Sequence, residues 1–488
     1  MPRNNSHPAT WLTSALLRGP SHSAAALLIA AVIVTAYATS LNASFQFDDW
    51  NVIVDEARVQ SLSAWWQSMP GIRALTKFTY ALNNEFENSA AGFRALNILI
   101  HYGTAALVFV LIEMVATRLR WSAAEASWTA LWVALVFAAH PAQSEAITYI
   151  CGRSGSLAAF LALASLVVWL RAAHSTVPSR SRQLSSAALF ALAIAAKETM
   201  IVMPCALLLL IEMRTRGPGA DSGVDDRLDC NAAERRAVRW HWLVAAGVVA
   251  IILVWPPYQR LIATSLDIRS MGENLLTQAN ALGYLLGQLV RFDHLNADPR
   301  LPILTVATPR ALLRCLFAAS GIIAALVMLR RRPAVAFGLL WFFVWLAPTN
   351  SLLARYEVAN DRQLYLSVVA AGWLLACGAR SVLRRCHGDA VRIATAIIAL
   401  LSVATLSAAS AMRNRVYATE VSFWSDVVDK TPGNARAANN LGYALALVSR
   451  PREAAAQFER AIQIDPNYVK ARINLRLLRD NALMQGQR

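Results

Sequence analysis

Residues 24–50 read AAALLIAAVIVTAYATSLNASFQFDDW. Eighteen residues without a charge (24–41) are long enough to cross a bilayer as a helix. They stop at a polar turn that leads straight into two adjacent carboxylates, Asp48 and Asp49. Arg3 and Arg18 precede the run. A small-residue cleavage site is weak and many similar runs follow, so the run is expected to be a retained anchor rather than a signal peptide.

The remaining sequence repeats this pattern. Apolar runs lie near 95–116, 125–140, 155–170, 184–196, 199–213, 240–256, 311–329, 334–347, 364–379 and 391–411. The chain has 488 residues, 56% hydrophobic and 16% charged, with mean hydropathy +0.41, whereas soluble domains carry about 25% charge. The reading is an all-α polytopic membrane protein of about eleven spans. The runs 184–196 and 334–347 are short for a span and require tilt or polar flanks.

Net charge is +16, but the arginines cluster between apolar runs, and no nucleic-acid-binding module is visible. No nucleic-acid partner is expected. Arg118 and Arg120, Arg171, Arg180 and Arg182, Arg214 through Arg239, Arg330–Arg332, and Arg380 through Arg385 each follow an even-numbered run. The positive-inside rule puts those loops and the N-terminus in the cytoplasm. An odd number of spans then puts the C-terminus outside. Segment 214–239 reads as a cytoplasmic linker. Segments 43–94 and 257–310 read as external loops. The six cysteines, Cys230 included, show neither metal-ligand spacing nor a paired framework, so no structural disulfide is expected.

The division expected is a membrane domain over 1–412 and an extracytoplasmic helical-repeat domain over 413–488. From Ala435 the sequence fits a tetratricopeptide template: Leu441-Gly442, Leu445, Ala454, Phe458, Ala461 and Pro466 fall on its signature positions. Fewer than the roughly three repeats needed for independent stability are present, so the stub should lean on the membrane domain, either as a cap or as a docking surface for a protein partner.

The chemistry is expected on the external face. Asp48 or Asp49 could serve as a general base toward a hydroxyl; the plainer alternative is an exposed acidic turn. Arg73, His101, His140, Glu145, Arg153, Lys197, Glu198 and Arg362 come from the loops and span ends assigned to that side. Arginine and lysine there suit an anionic phosphate, although each alone also suits an interfacial anchor. Paired carboxylates would also accommodate Mg²⁺ or Mn²⁺, but no cofactor is obligatory.

FDDWNVI (47–53), RALTKFTYALNN (73–84), FRALNILIH (93–101), FAAHPAQSEAITYICGRSGSL (137–157), AKE (196–198) and NDRQLYLS (360–367), followed by the terminal repeat, resemble in order the transmembrane and tetratricopeptide-repeat O-mannosyltransferases and their bacterial relatives. That resemblance implies a GT-C membrane glycosyltransferase. It would take a polyprenyl-phosphate sugar as donor and a Ser/Thr hydroxyl of an extracytoplasmic protein as acceptor. It implies Asp48 or Asp49 as catalytic base, Arg153, Lys197 and Arg362 at the donor phosphate, and Arg73, His101, His140, Glu145 and Glu198 shaping the site. Ala74 stands where the family often has proline, and Asp361 where it usually has glutamate. The alternatives are a transferase that decorates polysaccharide and a non-catalytic membrane scaffold. The Ala/Arg-rich composition suggests a bacterial inner membrane with the site facing the periplasm. A truncation ending near Arg415 is expected to separate scaffold from enzyme.

Overall fold

A computed structural model describes residues 19–69, 71–173, 180–215, 234–350, 354–386 and 388–486. Arg3, Arg18, Arg216, Cys230 and most of the 214–239 linker lie outside the described residues. Among those described, every regular element is a helix.

Among the described residues, six helices are long and apolar enough to cross a membrane: His22–Asn42, Ala90–Arg118, Ile150–Ala172, Glu234–Val254, Pro309–Arg331 and Asp389–Val416. The Ala123–Ala139 and Pro333–Leu346 helices are apolar but shorter. The other three expected runs form the Arg180–Ala196, Met203–Thr215 and Val368–Arg385 helices. Leu312, Leu313, Leu316, Phe317, Ile323, Leu326 and Val327 are exposed on a single helix, of which only Ala311, Ala325 and Leu329 are buried. Water would not tolerate an apolar face of that extent, whereas hydrocarbon requires it. The chain is a multi-pass membrane protein.

Local chemistry sets the helix limits. Ser122 and Glu125 close a capping box at the start of the Ala123–Ala139 helix, and Pro141 follows its C-cap His140. The 29 residues of Ala90–Arg118 span about 43 Å at 1.5 Å per residue. Arg94 is therefore at one end of the bundle and Arg118 at the other. At the Arg118 end, Arg118 pairs with Glu234 at 3.3 Å, and Arg380 and Arg384 both reach Glu125 at 3.2 Å.

The segment read as a long loop at 257–310 holds two helices, Pro256–Ile268 and Met271–Gln288. Their polar residues mask them in a hydropathy scan. Asn274, Thr277 and Gln278 turn inward, while Leu275 and Leu286 face out.

The C-terminal helices Glu420–Lys430, Ala435–Leu447, Pro451–Ile464 and Val469–Gly486 stack on one another. Their buried core includes Trp424, Leu441, Leu445, Ala454, Phe458 and Ala461. A Cβ on Gly442 would come within 2.7 Å of the Phe458 ring, which explains glycine after Leu441. This unit packs on the Arg94 end of the bundle: Tyr149 joins its core, with Phe47, Cys151 and Ala297 against it.

Candidate functional site

The loop after the first span is fixed from below by buried arginines. Arg94 Nε donates to the Thr148 carbonyl at 2.9 Å, and its terminal nitrogens bond the Ala43 and Ser44 carbonyls. Arg153 is fully enclosed: Nε donates to Asn97 Oδ1 at 2.6 Å, and the terminal nitrogens to the carbonyls of Thr79 (3.1 Å) and Phe93 (2.8 Å). Its guanidinium also lies over the Tyr80 and Phe93 rings. The donors of Arg153 are thus spent on the protein, and the structure places it in the scaffold rather than beside a phosphate.

The two adjacent aspartates differ sharply. Asp49 is wholly buried; Oδ2 accepts from the Gln46 N–H at 3.1 Å and Oδ1 from the Cys151 N–H at 2.9 Å. Burial pushes its carboxyl up to about 6, against the hydrogen bonds from Cys151 and Gln46 and the charge of Arg94. Asp49 ties the loop to the turn at Tyr149–Gly152. Asp48 is only partly buried. Burial raises its carboxyl above the usual range; the nearby Tyr149 hydroxyl, Arg362 and Arg436 pull it back, and Glu357 pushes it up. Phe47, just before it, has φ of +48°, a left-handed conformation costly for a bulky residue. Its N–H donates to Glu420 Oε1 at 2.8 Å, and its ring meets Trp424 edge-on at 5.1 Å. The C-terminal helices therefore hold the loop in that conformation.

Arg362 is next to Asp48 in charge. Its terminal nitrogens reach Glu357 at 2.8 Å and Glu145 at 3.5 Å, while Glu145 also accepts its backbone N–H at 2.9 Å. Arg436 binds Asp298 at 2.7 Å and stands 3.8 Å from Glu357. Arg362, Glu145, Glu357, Asp298 and Arg436, with Tyr149, Phe47 and Trp424, line a narrow cleft between the bundle and the C-terminal helices.

A cationic group adjoins it. Arg73, at φ +60°, makes a two-point contact with Glu198 at 2.7 and 3.1 Å. That contact holds the Glu198 carboxyl down near 2, despite burial. Lys197 and Arg355 make no side-chain hydrogen bond or ion pair among the described residues. Burial, then Arg73, Arg362 and Arg355, lower Lys197 to about 7.

His101 and His140 lie in the packing instead. His101 bonds Tyr365 Oη at 2.9 Å and faces the Ala138 carbonyl at 3.3 Å. His140 Nδ1 accepts the Ala142 N–H, leaving Nε2 protonated toward the Leu289 carbonyl at 3.1 Å. The structure thus gathers Glu145 and Arg362 around the cleft, Asp48 next to its Phe47 and Tyr149 walls, and Arg73, Lys197 and Glu198 beside it. Tyr149, Glu357, Trp424 and Arg436 are additions, whereas Arg355 belongs to the external cations that the sequence places just before Arg362. Tyr149 and Glu357 sit inside or next to the motifs already singled out; Trp424 falls on the Phe position of the repeat template one period upstream, a packing signal rather than a site signal, and Arg436 carries none. Among the described residues, no group of three or more His, Cys, Asp or Glu side chains is placed to hold a metal ion.

Gly152 is a packing requirement of the turn. A Cβ there would fall 2.5 Å from the Glu145 carbonyl oxygen. Gly152→Ala is expected to lower the melting temperature measurably, by the equivalent of about 1–3 kcal/mol of overpacking. An unshifted thermal melt would contradict this.

No protein-family model matches the chain. It is 26% identical over 170 residues to the human protein O-mannosyl-transferase TMTC4, a match taking in 30% of this chain and 23% of that protein. The chain therefore matches under a quarter of the relative's length. A crystal structure of ArnT from Cupriavidus metallidurans, bound to undecaprenyl phosphate, aligns over 97% of this chain and 77% of its own, at TM-score 0.39 and 16% identity, too distant to carry an argument. In sequence, the chain is thus similar over part of its length to a protein O-mannosyl-transferase of the transmembrane and tetratricopeptide-repeat family, the family its ordered motifs resemble.

Proposed function

We propose that the chain is a membrane glycosyltransferase of GT-C type that moves a monosaccharide from a polyprenyl-phosphate donor to a Ser/Thr hydroxyl of a protein, on the non-cytoplasmic face of a bacterial inner membrane. The observation that carries this reading is a partly exposed carboxylate, Asp48, set against Arg362 and near two cations, Lys197 and Arg355, that make no side-chain hydrogen bond or ion pair among the described residues. Buried cations are ordinarily paired; an anionic headgroup would supply the missing partner.

In the proposed step Asp48 takes the proton from the acceptor hydroxyl. The oxygen forms a bond to the anomeric carbon as the carbon–oxygen bond to phosphate breaks, its electrons leaving with the phosphate. Lys197, Arg355 and Arg362 stabilise that charge, and the single displacement inverts the anomeric configuration. Arg73 is held by Glu198 and shapes this group. No metal is required for a monophosphate leaving group so surrounded. The acidic residues Glu145 and Glu357 hold Arg362 in place, which leaves Arg153 to the scaffold.

The test is turnover by the purified chain in lipid nanodiscs, with polyprenyl-phosphate mannose as probe donor and Thr-rich peptide as probe acceptor. Mannose on peptide threonine is the expected result. Failure with mannose and with other polyprenyl-phosphate hexoses alike would rule the proposal out.

A further inference from the structure

The cleft beside Asp48 has walls from two parts of the chain. The bundle gives Tyr149, Glu145, Glu357 and Arg362; the C-terminal helices give Phe423, Trp424 and Arg436. The contact is built, not incidental. Arg436 grips Asp298 through two nitrogens at 2.9 and 2.7 Å, Asn434 Nδ2 reaches the same carboxylate at 2.8 Å, and Lys430 Nζ donates to the Leu295 carbonyl at 2.8 Å. Inside the cleft the buried Tyr149 hydroxyl lies within hydrogen-bonding reach of the Asp48 carboxylate. The phenol therefore links the cleft to the carboxylate proposed as base.

The chemistry of the cleft differs from that of the cationic group. Lys197, Arg73 and Arg355 are not among its walls; carboxylates, a phenol and the Phe423–Trp424 pair are, and Arg362 is the residue common to both. Carboxylates and a phenol accept hydrogen bonds from hydroxyls, and aromatic faces cover apolar C–H surface. An anionic lipid headgroup suits the first group; the lining of the cleft suits a single neutral hydroxyl-bearing side chain reaching in from its mouth.

We propose that the C-terminal helices form one wall of the acceptor subsite, where Arg436 and Trp424 hold a hydroxyl-bearing polypeptide segment against Tyr149 and within reach of Asp48. This rests on the transferase reading above and extends it: the repeat region takes part in the transfer site and is more than a remote docking module. Arg436 also bears on Asp48 by its charge. The titratable and charged groups facing Asp48 are Tyr149, Arg362, Glu357, Arg436 and Cys151, and removal of the Arg436 charge makes the Asp48 proton harder to lose.

The test uses the full chain in nanodiscs. With polyprenyl-phosphate mannose and a Thr-rich probe peptide, Arg436→Met should raise the peptide KM and lower the ratio of transfer to donor hydrolysis about tenfold, the loss expected of a charged hydrogen-bonding group. It should also move the acidic limb of the transfer pH profile to higher pH, and Arg436→Lys should restore most of both. A photo-crosslinking residue in place of Arg436 should capture the peptide above the level found for the same residue in place of exposed Arg472. Equal capture at the two positions, or an Arg436→Met variant with unaltered peptide KM and pH profile, would overturn the acceptor wall. Capture needs no turnover, so it reads the wall even where no mannose moves. Peptide capture with full turnover by Asp48→Asn would instead remove the base and leave the wall standing.

Discussion

Asp48→Asn is expected to abolish sugar transfer, by about 10²–10⁴-fold, while the protein keeps its fold and melting temperature. The adjacent Asp49→Asn should do the reverse: its first effect is on stability. The difference follows from where each carboxylate spends its oxygens. Asp49 accepts two backbone N–H groups in a fully buried place, and an amide there sets an N–H₂ against one of those donors. That leaves a buried group unsatisfied at about 1–3 kcal/mol. Among the described residues Asp48 accepts no backbone hydrogen bond; its side-chain partner is the Tyr149 hydroxyl, which an amide oxygen can still satisfy, and Arg362, Glu357 and Arg436 act on it by charge. Because burial raises the Asp48 carboxyl, the base is lost by protonation at a higher pH than for an exposed aspartate. The rate should therefore fall on the acid side as pH drops through that raised value. Transfer assays and thermal melts on both variants, read together, check the assignment. Wild-type turnover by Asp48→Asn would end it.

The sequence could not have separated the two aspartates. They are neighbours in one motif, and what distinguishes them is the Cys151 amide, 102 residues along the chain, which fills one side of Asp49. Arg153 and Arg362 were equally indistinct, since both follow apolar runs in motifs of similar weight. Only the fold shows that Asn97, Thr79 and Phe93 use up the donors of Arg153. The spans were legible because bilayer thickness imposes a length on apolar runs. The Pro256–Ile268 and Met271–Gln288 helices were not, because their polar residues mask that length signature. The repeat was legible because packing of Gly442 against Phe458 demands fixed residue types. Its place over the cleft was not, because it depends on Arg436 meeting Asp298 across 138 residues. That placement also alters what truncation near Arg415 reports: it removes Trp424 and Arg436 along with the repeat, so loss of function there no longer marks a scaffold.

Lys197→Met should weaken donor binding by about ten- to hundredfold, the range for a lost charge-assisted contact, and should slow transfer with it. The reason lies in the local balance of charge. Arg73 is matched by Glu198, and Arg362 by Glu145 and Glu357, which leaves Lys197 and Arg355 as the cations that gain most from an anion. Lys197 is also the member of the group whose charge changes near neutrality. Burial and the charges of Arg73, Arg362 and Arg355 lower it to about 7, with Glu198 alone among its named neighbours opposing them. An amine is charged below its pKa, so affinity for a sugar–phosphate diester, which does not itself titrate in this range, should be highest on the acid side of about 7. It should fall by about tenfold toward pH 8.5, as the empty site loses the proton that the bound phosphate would retain. Lys197→Arg cannot lose its charge at these pH values, and its binding curve should be flat over the same interval. Equilibrium binding of polyprenyl-phosphate mannose to the three proteins across that range decides the point. A wild-type affinity that rises with pH, or a Lys197→Met variant that binds as tightly as wild type, would show that the phosphate is held elsewhere.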